Sequence, residues 1–193
     1  MAMSEIKEEL PLQNRYRSRG NRIDRHELPA KPDECTHEPA SADSAKRQPY
    51  RDALFEFALS EPASHWVTLN FYREATPDAV SRCLRRWRVE VFRRLHGQRF
   101  HDLPQGELTY FFGCPELKPG GRPHVHLVCR VPEPLHAKFI RVATARWKAI
   151  VPSGDVYIVP IGPTEEDQRR VTGYALKWLD PSSALPFVDS RMY

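Results

Sequence analysis

Apolar residues change their period along this chain, and the changes mark out its elements. From Thr76, with Pro77 as a first helical residue, Val80, Leu84, Trp87, Val91 and Leu95 recur at steps of four and three until Gly97. That spacing predicts an amphipathic helix of about five turns. Elsewhere the pattern tightens to short runs rich in β-branched and aromatic residues: HWVTLNFYR over 65–73, GELTYFFGC over 106–114, RPHVHLVCRV over 122–131 and GDVYIVPI over 154–161. These read as four strands, with PELKPGG as the turn between the second and third. A second helix follows over 135–150, on a stripe of Leu135, Phe139, Val142 and Trp147 that stops before Pro152. Thr164, with Asp167 three residues on, opens a last helix, EEDQRRVTGYALKWLD, which Pro181 ends. YRDALFEFAL, 50–59, reads as a short leading helix.

The order β-α-β-β-α-β plus a final helix is the split βαβ arrangement of ferredoxin-like and RNA-recognition folds. The expected class is therefore α+β: an antiparallel sheet of four to five strands, helices on one face, and the other face free for an active site.

Residues 1–49 lack this periodicity and mix Pro, Ser, Asn and Gln with charges of both signs, which predicts a disordered arm. The folded domain is expected over 50–181, and 182–193 as a C-terminal tail. Nine Lys and Arg face nine Asp and Glu in the arm, so the net charge of +4 belongs to the remainder. A basic folded domain suits an anionic partner. The outer face of the long helix carries Arg82, Arg85, Arg86, Arg88, Arg93 and Arg94, which could touch phosphates or simply be a solvated face. No apolar run reaches the roughly 18 residues of a membrane span. The acidic start, MAMSEIKEEL, is unlike a secretory signal. A cytoplasmic location with no membrane partner is expected. Cys35, Cys83, Cys114 and Cys129 form no C-x-x-C pair and read as reduced thiols, three of them in or near the core.

The candidate chemistry begins at His124-Val125-His126. Side chains two apart on a strand share a face, so both imidazoles can address one ion while Val125 faces the other layer. Glu116 precedes His124 by eight residues. If the Gly-Gly turn closes a hairpin, Glu116 lies opposite His124 and the three side chains converge. On the last helix Tyr174 and Lys177, three apart, sit side by side, while Val171, Ala175 and Trp178 form an adjacent stripe that would dock on the sheet. A phenol is ionised in only about one molecule per thousand at neutral pH, so a nucleophilic tyrosine needs a cation or a base beside it.

HWVTLNF, then Glu116 with an eight-residue step to the histidine pair, then Y-x-x-K on a later helix resembles the HUH endonuclease superfamily, in particular rolling-circle replication initiators and related mobile-element nucleases. The likeness spans roughly residues 65–180. It implies a sheet with the histidine strand central, and Mg²⁺ or Mn²⁺ held by Glu116, His124 and His126. It further implies nicking and joining of single-stranded DNA at an origin or element end, with Tyr174 attacking the phosphorus to form a 5′-phosphotyrosine and Lys177 steadying the phosphate. Arg170, one turn before Tyr174, and Arg82, Arg85, Arg86 and Arg93 are the candidate DNA contacts. The first motif departs from the usual T-L-T, reading Thr68-Leu69-Asn70. Trp178 stands where some initiators carry a second tyrosine, so the chain resembles the one-tyrosine branch, for which termination needs a second protomer, as in a homodimer, or a hydroxyl nucleophile. No phosphate-binding loop is present, which leaves unwinding and extension to a helicase and polymerase of a bacterial host.

Three other readings stay open on the sequence. The same strand order serves non-catalytic nucleic-acid binders, although their aromatic strand signature is absent. A regulatory relative could keep the fold and bind DNA without cutting it. A metal-dependent phosphodiesterase could use activated water and form no adduct.

Overall fold

The computed structural model describes residues 42–60, 62–118, 122–177 and 187–192. Its elements are α1 (Ala42–Leu59), β1 (His65–Asn70), α2 (Pro77–His96), β2 (Tyr110–Lys118), β3 (Arg122–Arg130), α3 (His136–Ile150), β4 (Asp155–Pro160), α4 (Glu165–Ala175) and β5 (Val188–Asp189). All strand pairs are antiparallel, in the sheet order β4-β1-β3-β2-β5, so the fold is α+β and the histidine strand is central.

Local chemistry explains the helix boundaries. Thr76 caps α2 by accepting from the Ala79 N–H, Pro77 fills the first turn, and Gly97 ends it at φ 91°, a conformation that favours glycine. Thr164 caps α4 by accepting from the Asp167 N–H at 3.2 Å and donates its own hydroxyl to the Asp167 carboxylate at 2.7 Å.

Strand alternation then sorts the sheet into two faces. Val67 and Leu69 of β1, Val125, Leu127 and Cys129 of β3 and Phe111 of β2 pack with α2 and α3 in the larger core. Two indoles tie this layer together: Trp87 donates to the Ala143 carbonyl at 3.0 Å and Trp147 to the Asn70 carbonyl at 3.2 Å. Trp66, Tyr110, Phe112 and Val128 point the other way, into a smaller core completed by Val171, Ala175 and Leu176 and by Ala58 of α1. The helices were expected on one face alone; α1 and α4 instead cover part of the face that carries the histidines, because that face is apolar at its far end.

Three boundaries differ from the sequence expectation. The leading helix begins at Ala42, inside the segment expected to be a disordered arm. β2 does not end at Cys114 but runs to Lys118, through Pro115. Proline is tolerated there because its missing N–H falls, like the Phe111 N–H that donates to Ser190, on the β5 side of β2, where among the described residues β5 pairs only with Phe112 and Gly113. The expected C-terminal tail supplies β5 itself. The Gly-Gly turn, Trp178 and the first 41 residues, including Cys35, lie outside the described residues. Of the other thiols, Cys114 and Cys129 are buried and Cys83 half-buried. No helix among the described residues is long and apolar enough to cross a membrane.

Candidate metal centre

Register brings the site together. Glu116 of β2 pairs directly with His124, and Cys114 with His126. On the opposite flank of β3, Asn70 pairs with His124 and Thr68 with His126. Paired residues share a face, so one rung of the sheet reads Asp155, Asn70, His124, Glu116 and the next Tyr157, Thr68, His126, Cys114.

The three expected ligands converge. Glu116 Oε2 lies 3.0 Å from His124 Nε2 and 3.8 Å from His126 Nε2. One donor atom from each of the three residues falls within 4.8 Å of the others. Donors about 2.1 Å from a common ion stand roughly 3.0 Å apart at right angles and 3.4 Å apart at tetrahedral angles. The two Glu116–histidine separations lie near those values, and the three donors, all within 4.8 Å of one another, would have to draw in slightly to share a divalent ion. Imidazole and carboxylate together suit Mn²⁺ better than Mg²⁺, which prefers oxygen ligands alone.

The support around these ligands was not anticipated from the sequence. The Thr68 hydroxyl lies 3.1 Å from His126 Nδ1 and receives the Trp66 indole N–H at 3.1 Å. With the proton on Nδ1, the hydroxyl oxygen accepts from both neighbours and Nε2 keeps its lone pair toward Glu116. The Trp66 ring also stacks on His126, with centroids 5.0 Å apart and planes at 25°. A usable signal was present in HWVTLN, because period-two alternation puts Trp66 and Thr68 on one face.

α4 crosses over this pair. The Tyr174 ring stands edge-on to His126 at 5.3 Å and to Trp66 at 5.5 Å. Burial pushes the Tyr174 phenol above its ordinary value, and the negative charge of Glu116 adds to the shift. Lys177 lies past the end of α4, in the turn where its N–H donates to the Tyr174 carbonyl at 3.1 Å. Its ammonium is 5.8 Å from the Tyr174 ring centre, so the side-by-side placement expected of a continuous helix is kept by a turn.

The expected DNA contacts divide. Arg170 belongs to α4 but bonds Asp167 at 2.6 Å. Arg82, Arg85, Arg86 and Arg93 are exposed on the outer side of α2, across the sheet from the metal ligands, and Arg86 is paired with Glu90 at 2.8 Å. Arg88, expected on the same solvated face, is buried instead.

No protein-family model matches the chain, and no curated protein is significantly similar to it in sequence. Among solved structures, the hypothetical protein ORF119 from Sulfolobus islandicus rod-shaped virus 1 is similar at a TM-score of 0.43 and 17% identity, over 65% of this chain and 90% of that one. A likeness that slight bears on neither fold nor function.

Proposed function

We propose that this chain is a metal-dependent endonuclease of the HUH type, which nicks and rejoins single-stranded DNA at a specific site through a 5′-phosphotyrosine on Tyr174. The observation that carries the reading is the meeting of Glu116, His124 and His126 on one face with the Tyr174 ring against His126. A divalent ion held there would polarise the scissile phosphate and offset charge as it develops.

The chain's own residues supply the remainder. Thr68 and Trp66 hold the His126 ring in one orientation, so the ligand is in place before DNA arrives. Tyr174 attacks phosphorus: its oxygen forms the new P–O bond, the bond to the 3′ oxygen breaks, and that oxygen leaves as a hydroxyl. The ester keeps the energy of the broken bond, and attack by a 3′ hydroxyl reverses the step without ATP. Lys177 stands close enough to counter the phosphate charge. Such a reaction suits initiation of rolling-circle replication on a plasmid, phage or related mobile element, in the cytoplasm of a bacterial host, with a host helicase and polymerase completing the cycle.

The raised Tyr174 phenol favours one second reading, a phosphodiesterase in which water is the nucleophile at the same ligands. Incubation with a randomised single-stranded DNA pool and Mn²⁺ separates the two on a denaturing gel. The tyrosine nuclease yields a protein band shifted by attached DNA, which disappears in Tyr174→Phe and in EDTA. Cleavage without an adduct, undiminished in Tyr174→Phe, would replace it with the hydrolase.

A further inference from the structure

At the end of the sheet where β2 begins and β3 ends lies a cavity of about 200 Å³, separate from the metal ligands. Six residues of strand separate Tyr110 from Glu116 and Arg130 from His124, which is about 20 Å at 3.3 Å per residue. The cavity is lined by Arg88, Arg130 and Arg191 together with His101, Thr109 and Ser190.

Arg88 is the anomaly. It is 8% exposed, and its buried Nε–H meets no acceptor among the described residues. Its guanidinium lies over the Phe92 and Phe100 rings, with centroid distances of 5.0 and 5.7 Å. Ring faces help a cation, but they do not supply the in-plane acceptors that a guanidinium fork uses. Asp189 is the carboxylate whose charge Arg88 feels, yet that group is engaged elsewhere. It accepts from the Tyr110 hydroxyl at 3.1 Å and from Arg191 at 2.9 Å. Three guanidiniums, those of Arg88, Arg130 and Arg191, line one cavity.

The other cations are held in position. Arg130 donates to the Gln105 carbonyl at 2.8 Å, and Arg191 to the Tyr110 hydroxyl at 2.7 Å. Ser190 accepts the Phe111 N–H, which leaves its hydroxyl proton for a ligand. A buried charged donor without an acceptor costs more than an exposed one, and the group that removes this cost is an oxyanion with several acceptor atoms.

We infer that this cavity is a binding site for a phosphoryl oxyanion, with Arg88 as its buried anchor and Arg130, Arg191 and Ser190 around it. The phosphate can belong to a free small molecule or to a nucleic-acid strand. Its recognition does not depend on the metal centre.

The test uses the full chain in EDTA, with sodium phosphate titrated against sodium chloride at equal ionic strength. Phosphate is expected to move the Arg88 Nε–H resonance, assigned by its loss in Arg88→Lys, and to raise the unfolding temperature. Arg88→Met should weaken the phosphate affinity by about tenfold or more. An Arg88 resonance unmoved by phosphate overturns the proposal, and this reading on the wild-type chain decides the matter even if Arg88→Met fails to fold. Full phosphate stabilisation in a folded Arg88→Met overturns it as well. An oligothymidylate without terminal phosphates, used as competitor, assigns the source. Competition supports strand phosphates as the ligand, whereas displacement only by phosphate and a phosphomonoester supports a small molecule.

Discussion

Thr68 orients one of the proposed metal ligands without being a ligand itself. Its hydroxyl lies 3.1 Å from His126 Nδ1 and is itself fixed by the Trp66 indole. Thr68→Val keeps the shape and removes the hydrogen bond. Mn²⁺ affinity should fall by about ten- to a hundredfold, with Thr68→Ser restoring it; calorimetric titration of the three proteins checks both. On the opposite face of β1, His65 is buried beside His136, their ring centres 4.6 Å apart, and burial followed by the His136 charge lowers its pKa to about 4. The unfolded chain, with an ordinary value near 6.5, then binds the extra proton between those limits, so stability is present above pH 6.5 and is lost as pH falls toward 4. The loss reaches about 3 kcal/mol from this group. Urea unfolding across that range should show a shallower pH dependence in His65→Leu, with His96, also lowered by burial, supplying part of the slope that stays.

At the scale of elements, the β2–β3 hairpin is what aligns the ligands, and Gly113 is its tightest point. A Cβ there would run into the His126 carbonyl and the backbone of Leu127. Gly113→Ala should therefore destabilise the chain by about 1–3 kcal/mol and weaken Mn²⁺ binding together with it, as read by denaturant unfolding and titration. The pairing of Glu116 with His124 was legible in the sequence, because an eight-residue step around a glycine turn admits few registers. The length of β2 was not: Pro115 reads as a strand breaker until its place on an open edge is known. The burial of Arg88 was hidden for a related reason. Helical periodicity placed it with the other arginines on the solvated face, and the 3-10 turn that carries Phe100, which lies outside that pattern, helps to enclose it.

For the whole molecule, the succession of strands and helices along the chain followed from periodicity, since each carries its own apolar stripe, while the central place of the histidine strand came from the family resemblance. The docking of the last helix through Val171 and Ala175 followed as well, but α1 against α4 and β5 against β2 did not, because those contacts are distant in sequence. Val188–Asp189 is too short to announce itself as a strand, yet Val188 is buried in the larger core and Asp189 takes the Tyr110 and Arg191 hydrogen bonds. Deleting residues 188–193 should cost at least about 3 kcal/mol of stability in urea unfolding, through lost apolar burial and loss of the Asp189 and Arg191 hydrogen bonds to the Tyr110 hydroxyl. The cavity, lined by Ser190 and Arg191, lies at the opposite end of the sheet from the proposed metal ligands, so this deletion should disturb phosphate binding more than metal binding.

The central claim is that Glu116, His124 and His126 hold one divalent ion beside Tyr174. Calorimetric titration of the purified chain with Mn²⁺ addresses it directly, with the His124→Ala/His126→Ala double variant beside it and circular dichroism to show that both are folded. The account predicts one ion per chain, bound by the wild type and lost in the variant. A folded variant that binds Mn²⁺ as the wild type does, or a wild type that binds none, would contradict it.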